Sequence, residues 1–483
     1  MVLPPSTPEE QGMDSARLAL AIDYLRGQRD RYRIHSLSVV RHGYLVTDAS
    51  FWPFQPGQLH HIASVTKTVT CALIGIAVEK GYIADVHDRV LSFFPDRSIA
   101  NRTAWKEAMT IEHLLTMTSG LGGVLDYEAE EAAMMASPDW LQYCLDLPMT
   151  AEPGTAWRYS DPNAYLLSAI ITQVTGMSAH DFARKHLLKP LGIARSIWPP
   201  SPQGISDGSG GLMLAPHDLA RFGQLFLQEG AWRGLQVISR EWVRASTRIG
   251  IAAYMWGAYP DFEGFFYCSG AKGQRVVVSP SNDLVVVFNG GGYSNAEVES
   301  VYLEALRSFI FPAVLANQPV PANPTASQQL SGAVQRAASP EGQPQPVPPP
   351  PPIAATISGR TYVIDANPLE IQTITLGFPS SDAARMRITA SGYWTYDSDF
   401  EWAAGLDGIE RFASGRMDVL AAGVGEWRDR TTFLMDVDEL GNLELFRLTV
   451  VFLDGGERVS ITIADPYPWN PDPTVLLTGR WQP

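Results

Sequence analysis

The stretch from His60 to Gly81 constrains this chain more than any other: His-His-Ile-Ala-Ser-Val-Thr-Lys-Thr-Val-Thr-Cys-Ala-Leu-Ile-Gly-Ile-Ala-Val-Glu-Lys-Gly. Apolar residues recur at helical spacing (Val65, Val69, Ala72, Leu73, Ile76, Ala77), which predicts a buried helix from Ser64 onward. Gly81 stands where a left-handed cap commonly ends such a helix. Ser64 falls in the first turn, among unpaired N–H groups and the positive end of the helix dipole. Lys67 lies one turn on, on the same face. An ammonium inside an apolar helix is costly to bury. Lys67 therefore either opens onto a polar cleft or becomes neutral and serves as a base. Taken alone, Ser-x-x-Lys is also what an N-cap followed by a snorkelling lysine looks like.

At 483 residues the chain is too long for one ordinary core, and two domains are expected. Hydrophobic content of 45% with 18% charged residues is that of a globular protein. Lys and Arg number 36 against 51 Asp and Glu, a net charge of −15, which argues against nucleic-acid and anionic-membrane partners. No apolar run approaches the ~20 residues of a membrane span. The start, Met-Val-Leu-Pro-Pro-Ser-Thr-Pro-Glu-Glu, has neither a basic n-region nor an apolar h-region. A cytoplasmic location is expected, or a periplasmic or secreted one if an export signal has been removed. Cys71, Cys144 and Cys268 do not make a disulfide framework.

An amphipathic helix is predicted from Asp14-Ser15, then strands over Ser36 to Val40 and Tyr44 to Asp48. Thr110 caps a short helix to Leu115. Residues 122–147 are acidic and carry Tyr127, Met134, Met135, Trp140 and Tyr143. They read as a helical insertion over a pocket, or as an ordinary solvated helix pair. A turn-rich loop, Pro153 to Asn163, feeds a helix with Tyr165, Leu166, Ile170 and Ile171; Gly208 to Met213 is a glycine-rich turn, and Pro216 opens another helix. Strands are predicted at Phe265–Cys268, Arg275–Val278 and Leu284–Phe288, with a closing helix from Asn295 to Phe311. The expected fold is α+β: an antiparallel sheet built from both ends of residues 1–316, flanked by helices, with an all-helical lobe inserted in the middle. Pockets tend to form at such a seam. Residues 317–352 turn to Pro, Gln, Ala and Ser, which predicts an extended linker with no core of its own. Residues 353–483 alternate short strands with turns and read as a small all-β accessory domain.

Three stretches agree with one another: Ser64-Val65-Thr66-Lys67, Tyr159-Ser160-Asp161, and Cys268-Ser269-Gly270 followed by Ala271-Lys272-Gly273. Their order and spacing resemble the serine β-lactamase and penicillin-binding-protein superfamily, with the nearest look to its class C-like branch of esterases, D-amino-acid peptidases and 6-aminohexanoate-oligomer hydrolases. Thr110 to Leu115, Ser119-Gly120-Leu121, Gly211-Leu212-Met213 and Asp218 to Arg221 support the likeness, which runs from about Pro8 to Phe311.

The resemblance implies a β-lactamase-like fold, with Ser64 as nucleophile, Lys67 as the base that takes its proton, and Tyr159 as second member of the relay. It implies an oxyanion hole from the backbone N–H groups of Ser64 and Ala271, with Ser269 and Gly270 along the sheet side of the pocket. Asp161 and Trp157 are taken as substrate-binding. No metal and no cofactor are implied. Chemically, a hydroxyl needs an adjacent base, and a lysine serves at neutral pH only if burial or a nearby cation lowers its pKa. Two departures stand out. Asp161 replaces the usual Asn, and Cys268-Ser269-Gly270 replaces Lys-Thr-Gly or His-x-Gly. Lys272 would restore that cation only in a shifted register. Cys268 is read as a small wall residue of the pocket. The expected activity is hydrolysis of carboxylic esters or small amides, with a preference for neutral, partly apolar acyl groups. Competing readings are a D-amino-acid peptidase or amidase, a weak β-lactamase, and a sensor or binding module with little turnover.

Overall fold

Ile34–Arg41, Gln274–Ser279 and Leu284–Gly290 are strands buried along their whole length. The structure, a computed structural model, describes residues 3–123, 125–247, 254–257, 264–292, 295–391, 399–464 and 474–482. Helix α1 (Ser15–Tyr32) is capped by Asp14, whose side chain accepts from the Ala16 N–H at 2.8 Å. Strands β1 (Ile34–Arg41) and β2 (Tyr44–Ser50) form the early hairpin. Helix α2 (Val65–Glu79) is buried from Val65 through Ala77. Helices α3 (Tyr127–Ala136), α4 (Asp161–Thr175) and α5 (Pro216–Leu227) belong to the middle of the chain. Strands β3 (Phe266–Gly270), β4 (Gln274–Ser279) and β5 (Leu284–Gly290) return to the sheet, followed by α6 (Asn295–Ala305).

The sheet is antiparallel in the order β2-β1-β5-β4-β3. Both faces are covered, so apolar residues point both ways. Val285 and Val287 of β5 join the core with α2, α4 and α5, while Val286 and Phe288 join the core with α1 and α6. Gly223 lets α5 lie close to the sheet, since a Cβ there would stand 2.7 Å from Val285 and 2.9 Å from Val276. The predicted hairpin, late strands and closing helix are all present. The second strand of the sheet runs two residues further than predicted, to Ser50.

The stretch 317–352 differs from the expectation of an extended linker. Helix α7 (Pro324–Ala337) forms within it, capped by Asn323. Leu330, Ala333 and Ala337 add to the core beside α1, and Arg336 pairs with Asp23 at 2.7 Å. Proline fits the first helical position, and the polar remainder faces solvent.

Among the described residues the C-terminal region is a ten-stranded sheet, antiparallel between consecutive neighbours and parallel only at the closing pair. In chain order its strands are β6 (Arg360–Ile364), β7 (Ile371–Ser380), β8 (Ala383–Ala390), β9 (Phe400–Gly405), β10 (Arg411–Ser414), β11 (Leu420–Trp427), β12 (Thr432–Glu439), β13 (Glu444–Leu453), β14 (Arg458–Ala464) and β15 (Val475–Trp481). They run β9-β8-β7-β6-β15-β14-β13-β12-β11-β10, and a Gly405–Val424 pairing joins β9 to β11 and closes a barrel. Its interior holds Trp402, Phe433, Met435 and Phe452.

This barrel docks beside the start of α2. Arg33 forms an ion pair with Asp438, and the His61 N–H donates to the Gly441 carbonyl at 2.8 Å. Phe54 packs with Ala422 and Leu440, and Leu59 with Val419. Gly441 sits so tightly that a Cβ would fall 2.0 Å from Val419 and 2.9 Å from the Leu59 carbonyl. Among the described residues no helix is long and apolar enough to cross a membrane.

Candidate active site

Ser64 occupies the N-cap position of α2, yet its side chain makes no cap hydrogen bond. The Tyr159 hydroxyl donates to Ser64 Oγ at 2.7 Å and Lys67 Nζ donates to it at 3.1 Å. That pairing separates the nucleophile reading from the N-cap one. Ala63 just before it has φ +46, a left-handed turn that aims the helix start at the cavity. Gly270, at the end of β3, packs against the same turn: a Cβ there would lie 2.9 Å from the Ser64 nitrogen and 2.6 Å from the Ile62 carbonyl. Only a glycine brings the strand so close.

Lys67 is 1% exposed and fully engaged. Besides Ser64 it donates to the Ser209 carbonyl at 2.8 Å, lies 2.5 Å from Asp161 Oδ1, and sits 4.8 Å from the Tyr159 ring centroid. The Tyr127 hydroxyl donates to the other Asp161 oxygen at 2.8 Å. Burial pushes the Lys67 pKa down, but the Asp161 carboxylate and Tyr159 outweigh it and hold Lys67 well above the ordinary lysine value. This corrects the expectation of a neutral lysine. The Asp that replaces Asn in the second motif supplies a full negative charge where an amide would supply none.

Two cavities meet at Ser64. The first, about 490 Å³, is lined by His61, Lys67, Glu131, Asp161, Lys272 and Asn442 among others. The second, about 450 Å³, is lined by Tyr159, Tyr267, Ser269, Gly270, Arg275 and Glu299 among others. Ser64, Tyr127 and Ala271 border both. The structure thus brings Ser64, Lys67, Tyr159, Asp161, Ser269, Gly270 and Ala271 together as expected from the sequence. Trp157 is apart, 55% exposed with its ring 6.5 Å from that of Tyr159.

Four further expectations change. Cys268 is no pocket wall: strand alternation turns it away from Tyr267 and Ser269, to 1% exposure, in the core against α2. Burial pushes its thiol up to about 12. The insertion does cover the pocket, but through Tyr127, Glu128 and Glu131 rather than its methionines; Met134 is in the core. Burial and the neighbouring Asp161 raise Glu131 to about 8. Cations are present beside the third motif: Arg275, directly across from Ser269 in the β3–β4 pairing, and Lys272, whose Nζ donates to the Leu443 carbonyl at 2.7 Å. Finally, the barrel, expected as an accessory domain, reaches the site: Asn442, Leu443 and Glu444 at the β12–β13 turn line the first cavity. The turn is anchored from below. Buried Glu439 accepts from Trp402 at 2.8 Å, from Arg416 at 2.8 Å and from Asn442 at 3.1 Å.

Sequence reasoning missed Ser209, Glu131, Arg275 and the 442–444 turn as parts of the site. The signal for Ser209 was the run Gly208-Ser209-Gly210-Gly211. A Cβ at Gly208 would lie 2.2 Å from the Ala164 carbonyl, so that turn is built for close backbone approach.

A serine hydroxyl at a helix start, held by a buried lysine and by a tyrosine from the loop before α4, defines a serine hydrolase of the β-lactamase fold. The chain belongs to the Beta-lactamase family, which it matches over residues 21–308. It is 24% identical over 324 residues to a Salmonella agona (strain SL483) protein with the provisional name D-alanyl-D-alanine carboxypeptidase, covering 62% of this chain and 70% of that one. Among solved structures, EstCE1, described as a hydrolase with promiscuous acyltransferase activity, superposes with a TM-score of 0.51 at 18% identity over 62% of this chain and 99% of its own. The octameric penicillin-binding protein homologue from Pyrococcus abyssi superposes with a TM-score of 0.50 at 18% identity, covering 95% of this chain and 99% of that one.

Proposed function

We propose that the protein hydrolyses carboxylic esters or small amides through an acyl-enzyme on Ser64. The observation that carries this reading is Ser64 Oγ, held by Tyr159 at 2.7 Å and Lys67 at 3.1 Å instead of capping its own helix. In this reading Ser64 Oγ attacks the substrate carbonyl. Tyr159 takes the serine proton as it passes its own to the leaving group. Lys67 stays cationic beside Asp161 and stabilises negative charge on both oxygens. The backbone N–H groups of Ser64 and Ala271 receive the carbonyl oxygen as it becomes an oxyanion. Water then cleaves the acyl-enzyme by the same relay in reverse.

A second reading, an amidase or D-amino-acid peptidase, is favoured by one observation: the first cavity sets Glu128 and Glu131 in the same wall system as Lys272. Charged substrate ends fit such a lining better than a purely apolar acyl chain.

The test is a burst assay with p-nitrophenyl acetate alongside D-alanine p-nitroanilide and a chromogenic cephalosporin. We expect a burst stoichiometric with enzyme, steady turnover of the ester, and an acetyl adduct on Ser64 by mass spectrometry that Ser64→Ala lacks. Absence of any adduct with a folded enzyme overturns the proposal. Turnover confined to the anilide selects the second reading.

A further inference from the structure

His61 lines the first cavity just ahead of the nucleophile, and the reaction above does not use it. Its half-buried ring is fixed at one edge, where Nδ1 accepts the Ala63 N–H at 3.0 Å. A ring nitrogen that accepts carries no proton, so the neutral ring holds its hydrogen on Nε2. Burial and the Lys272 ammonium hold His61 down to about 4, so the neutral form is the one present near pH ~7. Nε2–H is therefore a donor, and no group among the described residues accepts from it. Asn442, on the barrel turn that lines the same cavity, is its complement. The Asn442 Nδ2 donates to Glu439 Oε2 at 3.1 Å, and only the NH2 end of an amide can meet a carboxylate in this way. Its Oδ1 is left as an acceptor with no donor among the described residues. Backbone contact brings the two residues together: the His61 N–H donates at 2.8 Å to the carbonyl of Gly441, the neighbour of Asn442.

One donor and one acceptor lining one cavity match a secondary amide, which offers a carbonyl to the first and an N–H to the second. The charged groups on either side are engaged elsewhere: Lys272 Nζ donates to the Leu443 carbonyl at 2.7 Å, and Glu444 is paired with Arg416. Ser64 borders the same cavity, so a substrate attacked at Ser64 can place one of its arms there. We infer that His61 and Asn442 form a subsite for a neutral amide group on the substrate, with the donor from the hydrolase region and the acceptor from the barrel. The assignment rests on the Ser64 hydrolase reading and adds the substrate class: esters or amides in which one arm carries a further amide bond, as in N-acylated amino acids and short peptides. Selection comes from the cost of a mismatch. A purely apolar arm covers the His61 N–H and the Asn442 carbonyl without pairing either, whereas an amide pairs both. The Nδ1 bond to Ala63 fixes this donor to the same turn that aims Ser64.

The test uses three boronic acids of matched length on the full-length protein, because boron binds Ser64 Oγ without needing turnover. Acetamidomethylboronic acid carries the whole amide, 3-oxobutylboronic acid keeps the carbonyl but has no N–H, and butylboronic acid has neither. Each is titrated calorimetrically. We expect the amide to bind about tenfold tighter than the butyl compound in the wild type, with the ketone between them and each hydrogen bond contributing about threefold. His61→Asn keeps the turn, since an asparagine side chain takes the N–H two residues on in the same manner, but it removes the donor. It should bring the ketone-to-butyl ratio close to one. Asn442→Ala should do the same to the amide-to-ketone ratio. Residues that merely hold the barrel against the start of α2 would move all three affinities together and leave the ratios alone, which would overturn the assignment. So would equal binding of the three compounds by the wild type. Failure of all three to bind a folded wild type would instead remove the Ser64 reading on which the assignment stands. If His61→Asn does not fold, Asn442→Ala decides alone: an unchanged amide-to-ketone ratio counts against the subsite.

Discussion

Lys67 Nζ lies 2.5 Å from Asp161 Oδ1, with both side chains at 2% exposure or less. A buried lysine without an anion would be driven toward neutrality, whereas one in contact with a carboxylate is held charged. The second motif therefore sets the protonation state of the first. Asp161→Asn is expected to lower the Lys67 pKa below the ordinary ~10.4 and to create a falling alkaline limb in kcat/KM that the wild type lacks below pH ~10, as the cation that stabilises the reacting oxygens is lost. Removing one member of a buried pair should also cost about 2–4 kcal/mol in urea unfolding. A pH–rate profile identical to that of the wild type would show that Asp161 does not control Lys67.

Tyr159→Phe removes the shorter of the two contacts to Ser64. It is expected to reduce kcat for an activated ester by about 10²–10⁴-fold while leaving the unfolding midpoint within a degree or two. Steady-state kinetics beside a thermal melt check this. Near-normal turnover would take Tyr159 out of the relay.

Gly441→Val tests the share of the barrel in the site. A side chain at this position collides with Val419 and the Leu59 carbonyl, so the 442–444 turn must shift away from the first cavity. The expected result is a KM raised several-fold and a stability loss of about 1–3 kcal/mol. An unchanged KM would return the barrel to an accessory role.

Acid should unfold this protein through its buried histidines. The His60 Nδ1–H donates to the His61 carbonyl at 2.9 Å, so its Nε2 accepts from His35 Nδ1 at 2.9 Å. Burial holds His60 down to about 3 and His61 down to about 4; burial and the His60 neighbour hold His35 well below its usual value. Unfolded histidine titrates near ~6.5. Below that pH the unfolded chain binds more protons than the folded one, so stability is full above pH ~6.5 and falls as pH drops toward ~4. At about 1.4 kcal/mol per pH unit of displacement, the loss by pH ~4 should reach several kcal/mol. Urea midpoints measured from pH 7 to 4 check the slope, and His60→Gln should flatten it.

Cys268→Lys looks from the sequence like a way to install the missing pocket cation. The structure predicts otherwise, since the side chain enters the core against α2. The variant should lose at least ~3 kcal/mol of stability and gain no preference for carboxylate-bearing substrates. A stable variant with that preference would mean that Cys268 faces the pocket after all.

Much of the hydrolase region was legible because its residues state their own burial. The unbroken apolar run Val285-Val286-Val287-Phe288 and the apolar stripe of α2 each point to one structure. Four strands of the barrel were not legible. Leu420–Trp427 reads Leu-Ala-Ala-Gly-Val-Gly-Glu-Trp, with little strand propensity of its own. It is a strand because its neighbours press on it: a Cβ at Gly423 would sit 2.6 Å from the Ala403 carbonyl and 2.8 Å from that of Asp436. Helix α7 was hidden by a proline-rich composition, and packing on α1 decided it.

The same division runs through the site. Helical spacing put Ser64 and Lys67 on one face, because Ser-x-x-Lys is fixed by the helical repeat itself, whereas Tyr159 was named only through the resemblance of Tyr159-Ser160-Asp161 to the family's second motif. Sequence also placed Asp161 beside Tyr159, but not its hold on Lys67, which needs α4 to bring a carboxylate against α2. Arg275, Glu131 and Asn442 reach the cavities from three separate elements, up to hundreds of residues from Ser64. Local periodicity carries no information about such meetings. They arise from which faces are buried together, and only the packed tertiary structure decides that.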